Sequence, residues 1–395
     1  VIKTITRLAV AGFRPLNVWS GQGRHNEIDG LRGWAAQSVL MSHLLQGVFG
    51  YQIRHVFNPV TSLLLDGHFA VLIFFVLSGE ALSTSYFNGG GDYAVVKLAV
   101  KRYLRLTTPI LVISLAIFAI VSLGWMRAHE AAAAVNSKLL NETFVGVPLS
   151  LIYYVRYSLW GVYINHVVTG AVNPILWTMH YEMIGSFIVF AILLLFRHLT
   201  FPVISVVVAT ALPLINKETS YFSCFLAGLI FAQLRIGGLF TSMQSGRQWP
   251  WIALLLALAA FDGLINRLGI FYDRKAFFAI TFVFAAWCSK PVCEALRAPV
   301  SRLMGVLSFP IYLVHFPVLL SVTSWLILSA HQTGPVSPGT ALLITMASLV
   351  VSLVAAAIFV PVEVFTKWLG DTTARLFLIR TSAPVEMQSR LHARP

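Results

Sequence analysis

PILWTMHYEMIGSFIVFAILLLF, Pro174 to Phe196, is a mostly apolar run that still carries a histidine and a glutamate near its start. A bilayer core of about 30 Å is crossed by roughly twenty apolar residues in a helix. Runs of this kind recur along the 395 residues, of which 57% are hydrophobic and only 11% charged. The mean hydropathy is +0.79, whereas soluble domains carry about a quarter charged residues. The pattern predicts an all-α fold class, a polytopic membrane helix bundle of about ten transmembrane helices.

Working outward from that run, spans are expected near 31–50, 64–86, 107–126, 174–196, 200–216, 220–238, 250–266, 276–290, 303–330 and 339–361. The ninth contains Pro310 and Pro317, which predicts a kink or a broken helix. The domain organisation read from these spans is a cytoplasmic segment 1–29, a transmembrane domain 30–362 and a cytoplasmic tail 363–395. Val1 to His25 lacks the apolar core and small-residue cleavage site of a secretory signal.

The formal net charge of +13 does not point to nucleic acid, because the basic residues sit mainly in the connections between apolar runs. There they orient a membrane protein. With both termini placed in the cytoplasm, nineteen of the 28 Lys and Arg residues fall inside and eight outside, with Arg32 at the border. Arg267, Arg274 and Lys275 are the outside group that disagrees. Cys224, Cys288 and Cys293 show no metal-ligand spacing and no disulfide framework; no metal site is expected.

The connection Arg127 to Asn173 contains SLIYYVRYSLWGVYI, an aromatic, amphipathic stretch. It reads first as a membrane-surface helix, and second as part of a lid over an acceptor.

Ionisable residues inside membrane helices are costly, and most line a cavity or a pathway. In EIDGLRGWAAQSVLMSH, Glu27 to His43, Arg32 and His43 are eleven residues apart. At about 100° per residue they share one face, separated by roughly 16 Å. Arg32 then marks the cytoplasmic edge and His43 lies past the midplane. In the fourth span, Asn173-Pro174 reads as an N-cap followed by proline at the first helical position. Counted from there, Glu182 reaches a depth close to that of His43, where a carboxylate would orient the imidazole. The ninth span offers Ser308, Tyr312 and His315 at comparable depth. A histidine flanked by prolines can also serve simply to satisfy freed backbone carbonyls.

Arg102 and Arg105, one turn apart in KRYLR, can hold phosphates as a pair, although by position alone they read as a positive-inside anchor. Ser78-Gly79, ending FFVLSG, suits close helix packing. Asp66 and His68 fall at an outer helix end, where solvation is easy. His180 points away from Glu182.

Taken together, Arg32 with His43, FFVLSG, KRYLR before TTP, LWTMHYE and LSFPIYLVH, in this order, resemble the acyltransferase 3 family of integral membrane acyltransferases. The resemblance implies transfer of an acyl group, usually acetyl, from cytoplasmic acyl-CoA to a hydroxyl on an extracytoplasmic or lipid-linked glycan. No cofactor would be bound permanently; acyl-CoA is a co-substrate. The family's first-span arginine and histidine correspond to Arg32 and His43, and Arg102 and Arg105 become candidates for the CoA phosphates. His43 and Glu182 are then the candidate catalytic pair, with His315, Tyr312 and Ser78 at the substrate. Glu80 stands where an apolar residue is common in the family. The other class of function compatible with buried His and Glu is a transporter of a sugar, lipid or proton-coupled solute.

Overall fold

The computed structural model describes residues 25–53, 65–164, 170–195, 217–268 and 275–391. The expected span at 200–216 and nearly all of the N-terminal segment lie outside them. No strand forms among the described residues.

Helix α1 (Asn26–Met41) continues into a widened, π-helical stretch, Ser42–Val48, that carries His43. Helices α2 (Gly67–Ser85) and α3 (Gly91–Ser122) meet at a kink where Gly89 takes φ +89°, a backbone state open to glycine. The long connection holds α4 (Ala128–Val135) and α5 (Leu151–Arg156). A 3₁₀ turn, Pro174–Trp177, leads into α6 (Thr178–Leu195). Then come α7 (Lys217–Ile236) and α8 (Trp249–Leu268). Helix α9 (Lys275–Cys288) bends by 88° into α10 (Lys290–Arg297). Helix α11 (Pro299–Val318) passes through a π-helical turn, Leu319–Thr323, and α12 (Pro338–Leu391) is the last described helix. Five helical stretches among the described residues are long and apolar enough to cross a membrane, six if the bent pair counts as one; one of the five joins α2 and α3. The fold is an all-α, multi-pass membrane bundle.

Two close crossings set its frame. A side chain at Gly79 would collide with the backbone of Phe225, and one at Gly228 with the backbone of Val76 and Glu80, so α2 and α7 touch main chain to main chain. Gly33 and Gly305 do the same for α1 and α11, where they face Met304 and Asp29. Without a hydrophobic force between helices in lipid, small residues bring in the dispersion contacts that hold them. Gly185 of α6 likewise receives the ring of Phe225.

A largely buried charge cluster ties five helices, α1, α2, α7, α9 and α10, at one end. Arg235 donates to Glu27 at 2.8 Å and to Glu80 at 2.7 Å, Trp287 donates to Glu80 at 2.8 Å, and Arg297 donates to Glu27 at 2.9 Å. Glu80 is fully buried, and this network explains a carboxylate inside an apolar helix.

The stretch 151–164 does not lie flat across the bundle end. Tyr154 packs on Phe118 at 5.2 Å between ring centroids, the carbonyl of Leu159 accepts from the Tyr103 hydroxyl at 2.8 Å, and Tyr163 and Thr107 share a 2.8 Å hydrogen bond. The segment therefore descends beside α3 over the eleven residues from Phe118 to Thr107, about 16 Å. The membrane-surface reading gives way to a re-entrant one.

In α11 the helix stays continuous through Pro310, and the distortion comes after Pro317 as the π-helical turn. Pro317 has no N–H for the carbonyl of Leu313. Asn173 supplies it, its Nδ2 donating to that oxygen at 3.2 Å. Helix α12 runs past residue 362 without a break, so the stretch read as a tail begins as a helix packed on the bundle. Lys101 of α3 pairs with Asp371 there.

Candidate active site

A cavity of about 600 Å³ opens among α1, α2, α3, α6, α11 and α12. Arg32, Ser78, Arg102, Arg105, Glu182, Ser308 and Tyr312 all line it, so five helices bring most of the expected site residues to one space. Arg32 donates to the Ser78 hydroxyl at 3.3 Å, which gives Ser78 a polar role at the wall while its neighbour Gly79 makes the helix contact. Lys101 and Lys367 add positive charge to the lining, and Asp29, Glu363 and Asp371 add negative charge. His25 lies at the edge ahead of α1; burial, and then the Arg235 guanidinium, hold it below the usual histidine range. The three face positions Glu363, Lys367 and Asp371 recur every fourth residue along α12.

Tyr312 forms part of the inner wall. Its hydroxyl donates to the carbonyl of Ile175 and accepts from Thr178 at 2.6 Å. Behind it, 6.5 Å between ring centroids, stands His315. His315 is fully buried, and its Nε2 lies 3.0 Å from Nδ1 of His43. The two rings meet edge to edge and nearly parallel, with centroids 5.2 Å apart and planes tilted by only 17°. His43 and His315 are not part of the cavity lining; they sit beyond its Tyr312 wall.

Glu182 does not meet His43. It is held by Arg102, whose Nη2 donates to Oε1 at 2.5 Å and to the Glu182 carbonyl at 3.3 Å. The expected depth fails because Asn173-Pro174 is not at the membrane edge. Asn173 is 1% exposed and bonded to Leu313, two residues from His315. Helix α6 thus starts inside the bundle, fed by the re-entrant segment, and Glu182 lies nine residues further toward Arg102, roughly 13 Å along the axis. Proline does occupy the first helical position, but the Asn173 side chain caps nothing. His180, as expected, faces elsewhere: its Nδ1 meets the carbonyl of Tyr163 at 2.6 Å.

Asp66 is also placed differently. Rather than being solvated it is 8% exposed, caps α2 by accepting from the Phe69 N–H at 2.8 Å, and pairs with the buried Lys275. Thr178 and Lys101 lie inside LWTMHYE and KRYLR without being singled out as site residues there, and the α12 face belongs to no motif. No group of three or more His, Cys, Asp and Glu able to hold a metal occurs among the described residues.

The family described as acyltransferase domain, acyltransferase 3, matches residues 25–360. No curated protein matches, and no solved structure does.

Proposed function

The chain belongs to the acyltransferase 3 family, and from that premise we propose that it is a membrane O-acyltransferase taking an acyl group, usually acetyl, from cytoplasmic acyl-CoA to a hydroxyl of an extracytoplasmic or lipid-linked glycan. The observation that carries this is the convergence of Arg32, Arg102 and Arg105 on one cavity, with a histidine pair beyond its Tyr312 wall.

The donor enters at the basic end, which this reading places in the cytoplasm of a plasma-membrane protein. Guanidinium groups suit phosphate because they offer parallel N–H donors, and Arg32, Arg102 and Arg105 supply three of them around one space. Glu182 pairs with Arg102, which makes Glu182 a partner of the donor site. The pantetheine arm then runs along α1 toward His43, about 16 Å from Arg32, and Tyr312 moves aside or borders the thioester. His43 takes the proton of the acceptor hydroxyl as general base, an effect worth roughly 10²–10⁴ in rate. An acyl-histidine relay is the competing version of the same step.

The test uses purified protein with radiolabelled acetyl-CoA and an extract of envelope lipids and glycans. Transfer of label that is lost in His43→Ala supports the reading. Uptake of a solute without consumption of acyl-CoA would replace it with the transporter. Mass spectrometry of envelope glycans from cells with and without the gene then names the acceptor by a missing acyl increment.

A further inference from the structure

The hydrogen bonds of the histidine pair fix more than its spacing. Nδ1 of His315 lies 2.8 Å from the carbonyl oxygen of Ile311. A carbonyl only accepts, so this Nδ1 carries a hydrogen. The partners of the fully buried His315 ring are the backbone carbonyls of Ile311 and Tyr312 and a ring nitrogen, so a second proton on its ring would meet no anion. Its Nε2 therefore keeps a lone pair. Nδ1 of His43, 3.0 Å away, must donate to it. A neutral imidazole has one N–H, and Nε2 of His43 is left as the acceptor.

The simpler reading of His315, that it satisfies carbonyls freed by the flanking prolines, does not fit. Pro310 and Pro317 free the carbonyls of Val306 and Leu313, and Leu313 is met by Asn173. Ile311 is the regular helical partner of the His315 backbone N–H, so the side-chain bond to it orients a ring instead of rescuing a carbonyl.

We propose that His315 is a positioning residue that holds His43 in the Nδ1–H tautomer, leaving Nε2 of His43 as the atom that takes the acceptor proton. This deepens the acyltransferase reading and rests on it. In the step, the acceptor O–H gives its proton to Nε2 as its oxygen bonds to the thioester carbonyl carbon. The C–S bond then breaks, and the CoA thiolate takes that proton from Nε2. Throughout, the Nδ1–H of His43 stays on the lone pair of His315, which stabilises the transient imidazolium.

Two readouts test this. In ¹⁵N-histidine-labelled protein in detergent, with His43 resonances assigned by their loss in His43→Gln, Nε2 of His43 is expected to be unprotonated. A protonated Nε2 overturns the proposal whether or not any transfer is detected. In acyl-transfer assays, His315→Leu is expected to lower kcat by about 100-fold or more, since a wrong histidine tautomer in a catalytic triad costs up to about 10⁴. KM for acyl-CoA should stay within about threefold. His315→Gln, whose amide oxygen can accept from the same Nδ1–H, should retain kcat within about tenfold. Equal losses in both variants, or an unaltered kcat in His315→Leu, overturn the proposal. Should His315→Leu not purify as a monodisperse species, the wild-type spectra and the kcat of His315→Gln decide. A wild type that consumes no acyl-CoA overturns the acyltransferase reading and the catalytic use of the tautomer, while the nitrogen spectra still decide the tautomer itself.

Discussion

Arg102 and Glu182 are 7–13% exposed, and a buried ion pair is most costly when broken from one side. Arg102→Met or Glu182→Gln alone should therefore destabilise the protein by about 3–5 kcal/mol, and Arg102→Met combined with Glu182→Leu by much less. Thermal denaturation in detergent measures both, and singles no worse than the double would mean that the pair is not formed. Arg102→Lys is expected to weaken acyl-CoA binding beyond what conservation of charge suggests, because one ammonium cannot replace a planar donor fork. Direct acyl-CoA titration reads this; an unchanged affinity would remove Arg102 from the donor site. At this scale the sequence announced the right residue types but misassigned one partner. Helical periodicity predicts a shared face for Arg32 and His43, but Arg32 lines the cavity while His43 lies on the π-helical stretch outside its lining; the turn that links Arg102 to Arg105 does bring both to the cavity. That Glu182 joins Arg102 depends on where α6 begins, and no local pattern reveals that a proline-started helix begins in the interior.

Among the elements, α11 carries a bond that can be tested by a cycle. Asn173 satisfies the Leu313 carbonyl only because Pro317 cannot. Asn173→Leu should cost about 1–3 kcal/mol by leaving a buried acceptor unmet. In a Pro317→Ala background, where the backbone N–H returns, the same substitution should cost clearly less. Equal costs in both backgrounds would show that the Asn173 amide serves another purpose. The crossing of α2 and α7 is stricter, since Gly79 and Gly228 face main chain that cannot rotate away. Gly79→Val should therefore abolish recovery of monodisperse protein, a loss read by size-exclusion chromatography; normal recovery would mean that the helices can separate. The small-residue motif FFVLSG made this contact legible before any partner helix was known, because close approach needs small residues wherever the partner comes from. The re-entrant 151–164 segment was not legible. An amphipathic aromatic stretch fits a membrane surface and a protein-lined descent equally well, and only its hydrogen bonds to Tyr103 and Thr107 separate the two.

Across the whole molecule, charge placement and cavity placement argue for a sided reaction. Lys275, one of the basic residues on the disfavoured side of the positive-inside count, is buried against Asp66, so it serves as an internal ion pair and carries little weight for orientation. The remaining inner cluster, Lys97, Lys101, Arg102 and Arg105, lies on α3, and three of its four residues line the cavity. The same charges that would orient the chain thus surround the proposed donor site. His43 stands in the π-helical continuation of α1, eleven residues beyond Arg32, about half the bilayer. Membrane-impermeant acyl-CoA should therefore support transfer only when added to the face bearing Arg102 and Arg105. Sealed vesicles of both orientations, sorted by protease cleavage of a terminal tag, provide the measurement, with free CoA thiol expected on the side of addition. Equal transfer from both faces would show that the donor reaches His43 from the far side as well, and the line from Arg32 to His43 would lose its meaning as a path.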